Sequence, residues 1–268
     1  MATTRLSNAL SALDAAIEAM PTGRLPADPG LHEVWPDMAR VCLRGWAAAL
    51  RDDLATASSA LTAARRTKSE ALAVRRIEEA MWRLAASREK MRALFAIVFE
   101  IKVLERHCGE GVRFSVDHQA SVARLRELAA SHECARKLAQ VWQAVEGHDA
   151  LQRRNYLSHS LSTAASMPPL VFLDDVYEQP DGSERYGRSY LVPKVDMGFS
   201  LERGVLLARA RASCLALFAT LASATSLLAR LIAEAGTLPG PAECRYARGD
   251  DGAWVLTSLC GVPTTRGK

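Results

Sequence analysis

The strongest constraint on this chain is the spacing of its apolar residues, which recur every three or four positions over long stretches. In residues 69–105, for example, Leu84, Met91 and Phe95 belong to one wide apolar stripe. Such spacing is typical of an α-helix that buries one face. The same pattern predicts further helices over residues 7–20, 36–66, 117–131, 133–145 and 200–234. We therefore predict a mainly α protein whose long neighbouring helices pack antiparallel, as in a helical bundle.

Two segments depart from this helical pattern. Residues 170–173 and 188–192 are short segments, rich in β-branched, aromatic or other apolar residues, on either side of a turn-forming Pro-Asp-Gly-Ser sequence. They predict an inserted β-hairpin over about residues 167–193. Near the end of the chain, two further short runs flank a turn that contains two glycines. They predict a C-terminal β-hairpin over about residues 243–258.

The length and composition are those of a globular protein. The chain has 268 residues, of which 49% are hydrophobic and 24% are charged, so it can bury a core and does not resemble a disordered chain. We predict one domain over residues 1–268, with a helical core over about residues 37–235. The net charge of +4 is too small to identify a nucleic-acid partner by itself.

The cysteines and the start of the chain favour a cytoplasmic location. The six cysteines are scattered, without a Cys-x-x-Cys pair or a Cys/His ligand set, which favours reduced thiols and predicts neither a metal site nor a cofactor. The first residues lead into an amphipathic pattern instead of the apolar stretch of a signal peptide. Residues 212–229 carry no charge, but small polar residues interrupt them and they fall short of a typical membrane span. We predict that they form a buried central helix and that the protein contacts no membrane.

The densest basic cluster lies near the predicted link between two long helices and consists of Arg65, Arg66, Lys68, Arg75 and Arg76. Clusters of this kind are most often a solvated helical face, which is the interpretation we favour. A surface that contacts phosphate groups is the alternative.

A second charged segment, Arg88, Glu89 and Lys90, lies on the helix predicted over residues 69–105. Charges on a helix next to an active site can contribute to it. We nevertheless interpret this segment as an ordinary exposed ion pair.

One short segment combines an arginine, a polar amide residue and a histidine at close spacing. In it, Arg154 is followed directly by Asn155 and, after three further residues, by His159. On a helix, with about 100° per residue, Asn155 and His159 are neighbours one turn apart. Arg154 lies about 140° around the helix from His159, so the two would not meet on one phosphate by sharing a face. A site shared between two copies of the chain would bring them together.

An arginine and a histidine at this spacing do not by themselves identify a catalytic motif. Arg113 and His118 have the same spacing, but Phe114 follows the arginine, and the segment spans a loop and a helix start. The segment at Arg154 has a polar second residue, a helical pattern and a late position among long helices. On these residues the chain resembles the HEPN superfamily, whose signature is an arginine, a polar residue, three further residues and a histidine on a helix of a small bundle.

The HEPN resemblance implies an endoribonuclease that needs no metal ion. RNA supplies its own nucleophile, the 2′-hydroxyl, so His159 is expected to remove that proton or to protonate the leaving 5′-oxygen. Arg154 is expected to bind the phosphoryl oxygens as charge builds on them. Asn155 is expected to hold the imidazole or a phosphate oxygen. HEPN ribonucleases typically dimerise with both motifs in one cleft, so the implied partners are RNA and a second copy of the chain.

The resemblance also implies a role in a toxin-antitoxin system or in antiviral defence, with an antitoxin or regulatory protein as a further partner. In some HEPN toxins a nucleotidyltransferase modifies a tyrosine two residues after the histidine. Leu161 occupies that position here, which argues against this form of control. Two other functions stay open: a non-catalytic HEPN-like module that binds RNA, a nucleotide or a protein through the same polar face, and a purely structural bundle.

Overall fold

The structure, a computed structural model, describes residues 2–26, 29–99, 103–108, 111–116, 118–148, 150–151, 171–178, 184–191, 199–240, 244–248 and 254–259. This part of the chain is mainly helical, which confirms the prediction of a mainly α protein. The helices that it describes from end to end are α1 (Ala2–Ala19), α2 (Pro29–His32), α3 (Trp35–Arg66), α4 (Glu70–Val98), α5 (His118–Ala129), α6 (Glu133–Glu146) and α7 (Phe199–Ala235).

In the described ranges, short strands form three separate antiparallel pairs. Their bounds are β1 (Val103–Cys108), β2 (Gly111–Val116), β3 (Val171–Glu178), β4 (Glu184–Leu191), β5 (Cys244–Arg248) and β6 (Trp254–Leu259). The terminal partners are Val103 with Val116 and Cys108 with Gly111 in the first pair, Val171 with Leu191 and Glu178 with Glu184 in the second, and Cys244 with Leu259 and Arg248 with Trp254 in the third. The third pair contains a register shift between Arg245 and Tyr246.

The helix predicted over residues 69–105 is shorter than expected. α4 ends at Val98, and residues 103–108 form β1. Val103 is β-branched, and this residue type favours extended backbone over helix. The apolar spacing at this end of the stretch was therefore compatible with either element, and the prediction of helix up to residue 105 was wrong.

Local sequence explains where α3 and α4 begin. Pro36 is the second residue of α3, where a missing backbone N–H costs little, and Asp37 puts a negative charge in the first turn, where the helix dipole favours it. Before α4, the hydroxyl of Ser69 accepts a hydrogen bond from the backbone N–H of Leu72 at 3.4 Å. Ser69 is thus an N-cap that ends the short link between the two helices.

The chain divides into two compact units. The first comprises Met1–Ala55, Ala86–Glu146 and Phe218–Lys268, and the second comprises Thr56–Ala85 and Gly147–Leu217. Because these boundaries fall inside α3, α4 and α7, each of the three long helices contributes residues to both units.

Apolar helix faces form the core of the first unit. Five of its helices each bury at least one leucine to 3% exposure or less: Leu13 of α1, Leu50 of α3, Leu94 of α4, Leu138 of α6 and Leu231 of α7. Removing such side chains from water is the main favourable contribution to folding.

Hydrogen bonds also join early and late parts of the chain in the first unit. Trp35 is 1% exposed, and its indole N–H donates to the carbonyl oxygen of Pro239 at 3.2 Å. The backbone N–H of Leu238 donates to the carbonyl oxygen of Pro21 at 3.0 Å. The segment that follows α7 is therefore held against the segments that precede and begin α3.

The second unit has a smaller core of the same kind. Leu61 of α3, Ile77 and Leu84 of α4, and Leu217 of α7 are buried in it. The side chain of Arg211 donates a hydrogen bond to the carbonyl oxygen of Leu61 at 3.3 Å, so α7 contacts α3 within this unit through a polar bond as well.

Within the described residues, Ala210–Ala235 of α7 is long and apolar enough to cross a membrane by length and composition. Of its most apolar window, 56% is buried inside the structure. The core helix of a globular protein and a membrane-spanning helix can both have this length and composition. The cytoplasmic location and the lack of membrane contact stay predictions.

Replacing Trp35 with Phe is expected to lower the free energy of unfolding by about 1–3 kcal/mol, because the buried carbonyl of Pro239 loses its donor. Urea unfolding would measure the loss. The matched control is Trp82→Phe, since Trp82 is 44% exposed and a conservative surface change of this kind costs less than about 0.5 kcal/mol. Equal stability of the two variants would contradict this account of Trp35.

Candidate functional site

The predicted catalytic residues Arg154, Asn155 and His159 lie outside the described residues, which stop at residue 151 and resume at residue 171. The chain just before them is described, and it begins a helix. Ala150 and Leu151 are helical and are 1% and 4% exposed. A buried helix start thus lies immediately ahead of the motif in sequence.

His148 starts this helix. The backbone N–H of Leu151 donates to the carbonyl oxygen of His148 at 3.0 Å, and the backbone N–H of Ala150 donates to its Nδ1 at 3.2 Å. A side chain that accepts from the first N–H groups of a helix acts as its cap. Since Nδ1 accepts a hydrogen bond, it carries no proton in this arrangement.

The other arginine and histidine at the same spacing do not share a helix. Arg113 lies on β2, where it pairs with Arg106 of β1, whereas His118 is the first residue of α5. Two residues on different elements do not form the signature that Arg154 and His159 match. This finding agrees with the choice of the segment at Arg154 over the segment at Arg113.

In the first unit, four charged residues of α4 and α6 form a connected group that we call the α4–α6 ion cluster: Arg88, Glu89, Arg92 and Glu146. Glu146 accepts a hydrogen bond from Arg92 at 2.6 Å and one from Arg88 at 3.4 Å. Glu89 pairs with both arginines. The two positive and two negative side chains balance, so the cluster ties α4 to α6 without leaving a net charge to attract a phosphate.

The α4–α6 ion cluster is more buried than the sequence suggested. The side chains of Arg88, Arg92 and Glu146 are 17%, 16% and 23% exposed. The interpretation of Arg88 and Glu89 as an ordinary exposed pair was therefore wrong for Arg88. The sequence signal that was missed is the spacing of Arg88 and Arg92, which are four residues apart and so lie on one helix face.

Arg92 makes further contacts. Its guanidinium lies 3.4 Å from Nδ1 of His118 and 6.0 Å from the ring centroid of Trp142, near the outer limit of a cation–π contact. Its Nε is buried and has no hydrogen-bond partner among the described residues. Arg92 is therefore fixed by neighbours on α5 and α6 as well as by the carboxylates.

A small apolar cavity lies beside Arg92 in the first unit. Phe95, Leu125 and Trp142 are among the residues that line it, and the cavity measures about 30 Å³. That space holds about one or two water molecules, whereas small-molecule sites typically measure about 300–1,000 Å³. The cavity is a packing feature and not a candidate nucleotide site.

A buried ion pair connects α3 and α4 in the first unit. Asp53 is 2% exposed, and its carboxylate accepts from the ammonium group of Lys90, which is 23% exposed. Lys90 was expected to belong to an exposed charged segment, but it neutralises an acid that has lost its contact with water. A carboxylate this deeply buried requires such a partner.

One cysteine has a histidine and a carboxylate as neighbours, but this environment disfavours its reactive form. The thiol of Cys134 donates to a carboxylate oxygen of Glu234 at 2.8 Å, and Nδ1 of His132 lies 3.6 Å from the same oxygen. Burial, and then the hydrogen bond to Glu234, raise the pKa of Cys134 to about 11. Since the thiolate is the nucleophile, Cys134 is a structural residue.

No group of three His, Cys, Asp or Glu side chains in the described part of the chain is arranged to hold a metal ion. In the same part, Cys42, Cys134 and Cys214 are buried and form no disulfide. The expectation that the protein uses neither a metal nor a cofactor stays a prediction.

The basic cluster near the α3–α4 link is largely exposed, which a solvated helical face and a phosphate-contacting surface both require. Arg65, Arg66, Lys68 and Arg75 are all exposed. Arg76 is partly exposed and donates to Glu79 at 2.8 Å. Most of the positive charge at this end of the helices therefore faces solvent.

Replacing Glu146 with Gln is expected to lower the free energy of unfolding by about 1–3 kcal/mol, because two largely buried guanidinium groups lose their shared counter-charge. Chemical denaturation would measure the change. Glu127→Gln is the matched control, since Glu127 pairs with Arg124 but is 65% exposed, and exposed pairs contribute less than about 1 kcal/mol. A loss no larger than that of the control would show that the cluster is only a surface feature.

Cys42 and Cys134 are expected to resist alkylation in the native protein. Burial is the main cause that raises the pKa of both thiols to about 11, which leaves about 100-fold less reactive thiolate than an ordinary cysteine has. Peptide mapping after iodoacetamide treatment, with and without denaturant, would measure both rates. Equal alkylation rates in the native and denatured protein would show that burial does not protect Cys42 and Cys134.

Comparisons of the chain with protein-family models, with curated proteins and with solved structures found no match. A functional proposal therefore rests on the chain's own residues and on the resemblance of the segment that contains Arg154, Asn155 and His159.

Proposed function

We propose that the protein is a metal-independent endoribonuclease of the HEPN type, with Arg154, Asn155 and His159 as its catalytic residues. The observation that carries the proposal is the signature of these three residues directly after a helix start at Ala150 in a mainly helical chain. The finer architecture is part of the proposal: a HEPN-type antiparallel bundle with an inserted β-hairpin over about residues 167–193 and a C-terminal β-hairpin over about residues 243–258.

The helix register supports different roles for the three residues. Ala150 and Leu151 are both buried and lie about 100° apart on a helix. In a helix that continued in that register, Asn155 and His159 would lie about 140° and 180° from Ala150, away from the midpoint of the buried pair. Arg154 would lie at about 40°, between the two buried positions. Asn155 and His159 would then be accessible to substrate, and Arg154 would need a polar partner.

The proposed reaction is an internal transfer within RNA. The 2′-oxygen attacks the adjacent phosphorus, the new 2′-O–P bond forms, and the bond from phosphorus to the 5′-oxygen breaks. His159 carries out one of the two proton transfers, from the 2′-hydroxyl or to the leaving 5′-oxygen, and solvent carries out the other. Arg154 stabilises the charge that develops on the phosphoryl oxygens, and Asn155 holds the imidazole or a phosphate oxygen. The products are a 2′,3′-cyclic phosphate and a 5′-hydroxyl.

A homodimer with a composite site is part of the proposal. Within one helix Arg154 and His159 point about 140° apart, so one phosphate is reached more readily by the arginine of one copy and the histidine of the other. A two-fold symmetric pair of this kind would hold two such combinations.

The proposed biological role is that of a toxin or an antiviral effector in the cytoplasm. A free ribonuclease would harm its own cell, so an antitoxin or another regulatory protein is the expected partner. Leu161 has no hydroxyl for a nucleotidyltransferase to modify, so control is expected to act by binding and not by modification at that position.

Purified protein in EDTA is expected to cleave single-stranded RNA and to leave matched DNA intact. His159→Ala and Arg154→Ala should each lower the rate by at least about 100-fold, and mass spectrometry should detect 2′,3′-cyclic phosphate ends. His32→Ala and Arg124→Ala are matched controls on the described surface and should retain activity. Cleavage of DNA, or full activity of His159→Ala, would overturn the mechanism. RNA binding without cleavage would favour the non-catalytic module.

Mixing the two inactive variants would test the composite site. A dimer of Arg154→Ala with His159→Ala retains one intact combination, so an equal mixture should recover about a quarter of the wild-type rate. An inactive mixture would mean that each copy uses its own arginine and histidine.

A further inference from the structure

The positive charge of the chain is concentrated in one short segment of the second unit. Residues 65–83 contain six arginine or lysine residues and three glutamates, a net charge of +3, whereas the whole chain has +4. Of these cations, Arg65, Arg66, Lys68, Arg75 and Arg83 are exposed. A polyanion that approaches the second unit therefore meets most of the protein's charge excess here.

An exposed tryptophan lies among these basic residues. Trp82 is 44% exposed, although tryptophan is usually well buried. It lies seven residues after Arg75 on α4, which is about two turns and about 10 Å along the same face. Arg76 and Arg83 have the same separation. The four side chains fall within an arc of about 120° on the helix. Glu79 lies in the same arc and pairs with Arg76. Arg75 and Arg83 therefore contribute most of the positive charge of this face.

We propose that this surface binds single-stranded nucleic acid. We call it the basic strip, and it consists of Arg65, Arg66, Lys68, Arg75, Arg76, Trp82 and Arg83. The cations contact successive phosphates, and the indole of Trp82 stacks on a base. Cations beside one exposed aromatic ring suit a single strand, because its bases expose their faces and every base has one.

A double helix fits the basic strip less well. In a duplex the base faces are stacked on one another, so Trp82 would have only backbone to contact. The cations would still attract phosphates, but the aromatic side chain would add little. The basic strip should therefore prefer single strands, and it should accept RNA and DNA alike, because neither stacking nor phosphate contact requires a 2′-hydroxyl.

This inference deepens the proposed function and rests on it only for the identity of the natural ligand as RNA. In an endoribonuclease, the basic strip would hold the substrate strand while another surface cleaves it. Its binding chemistry does not depend on Arg154 or His159. Binding and cleavage can therefore succeed or fail separately in experiments.

Fluorescence anisotropy with the full-length protein would test the basic strip. The probes are short labelled oligonucleotides: 2′-O-methyl oligo-uridine, whose 2′-oxygen cannot attack, oligo-thymidine of the same length, and a duplex. Trp82→Ala should weaken single-strand binding by about 5- to 100-fold, whereas Trp82→Phe should keep most of the affinity because it keeps a ring to stack. Unfolding curves of both variants check that each is folded.

The salt dependence would test the phosphate contacts. In the double variant Lys68→Ala and Arg75→Ala, the slope of log affinity against log salt should fall by about 1.4, or about 0.7 for each lost phosphate contact. Arg136→Ala, which removes an exposed arginine of α6 in the first unit, should leave the slope unchanged.

The outcomes separate this inference from the proposed function. Binding that responds to these variants, in a protein that does not cleave RNA, would support the basic strip and reject the ribonuclease. If the protein cleaves RNA but the basic-strip variants bind like the wild type, the ribonuclease would be supported and the basic strip rejected. No single-strand binding at low salt, or equal affinity of Trp82→Ala and Trp82→Phe, would overturn the basic strip.

Discussion

The buried pair of Asp53 and Lys90 joins α3 to α4 within the core of the first unit. A carboxylate that is 2% exposed is strongly destabilising when its cation is removed. A slip of α4 by one residue would carry the ammonium group about 100° around the helix and away from Asp53. The pair therefore favours one register, and that register directs Arg88 and Arg92 toward α6.

The cations of α4 have different surroundings along the length of the helix. In the part that belongs to the first unit, Arg88, Lys90 and Arg92 are paired with carboxylates and largely removed from solvent. In the part that belongs to the second unit, Arg75 and Arg83 remain in contact with water. Cations of the first kind hold helices together, because desolvated charges need fixed partners. Cations of the second kind contribute to the positive potential that an approaching ligand meets at the surface.

Apolar spacing was sufficient to predict most helices, since it depends on local sequence. Residues 36–66 and 133–145 were predicted as helices, and α3 and α6 span Trp35–Arg66 and Glu133–Glu146. The end of α4 could not be predicted because β-branched residues near it fit a helical stripe and a strand equally well. The α4–α6 ion cluster joins residues 54 and 58 positions apart, and no local pattern reports such a pairing. The catalytic role of Arg154, Asn155 and His159 was inferred from a short signature alone. That role stays a prediction.

The hydrogen bond from Trp35 to Pro239 spans 204 residues and has a consequence for how the chain matures. Contacts between distant residues form late, because the intervening loop must first be closed. The core of the first unit is complete only after α7 and the segment that follows it have packed against the earlier helices. Until these contacts form, apolar residues such as Leu13 of α1 and Leu50 of α3 are not fully buried, and exposed apolar faces of this kind favour aggregation. Within the described residues, α7 and the segment that follows it thus complete the core of the first unit.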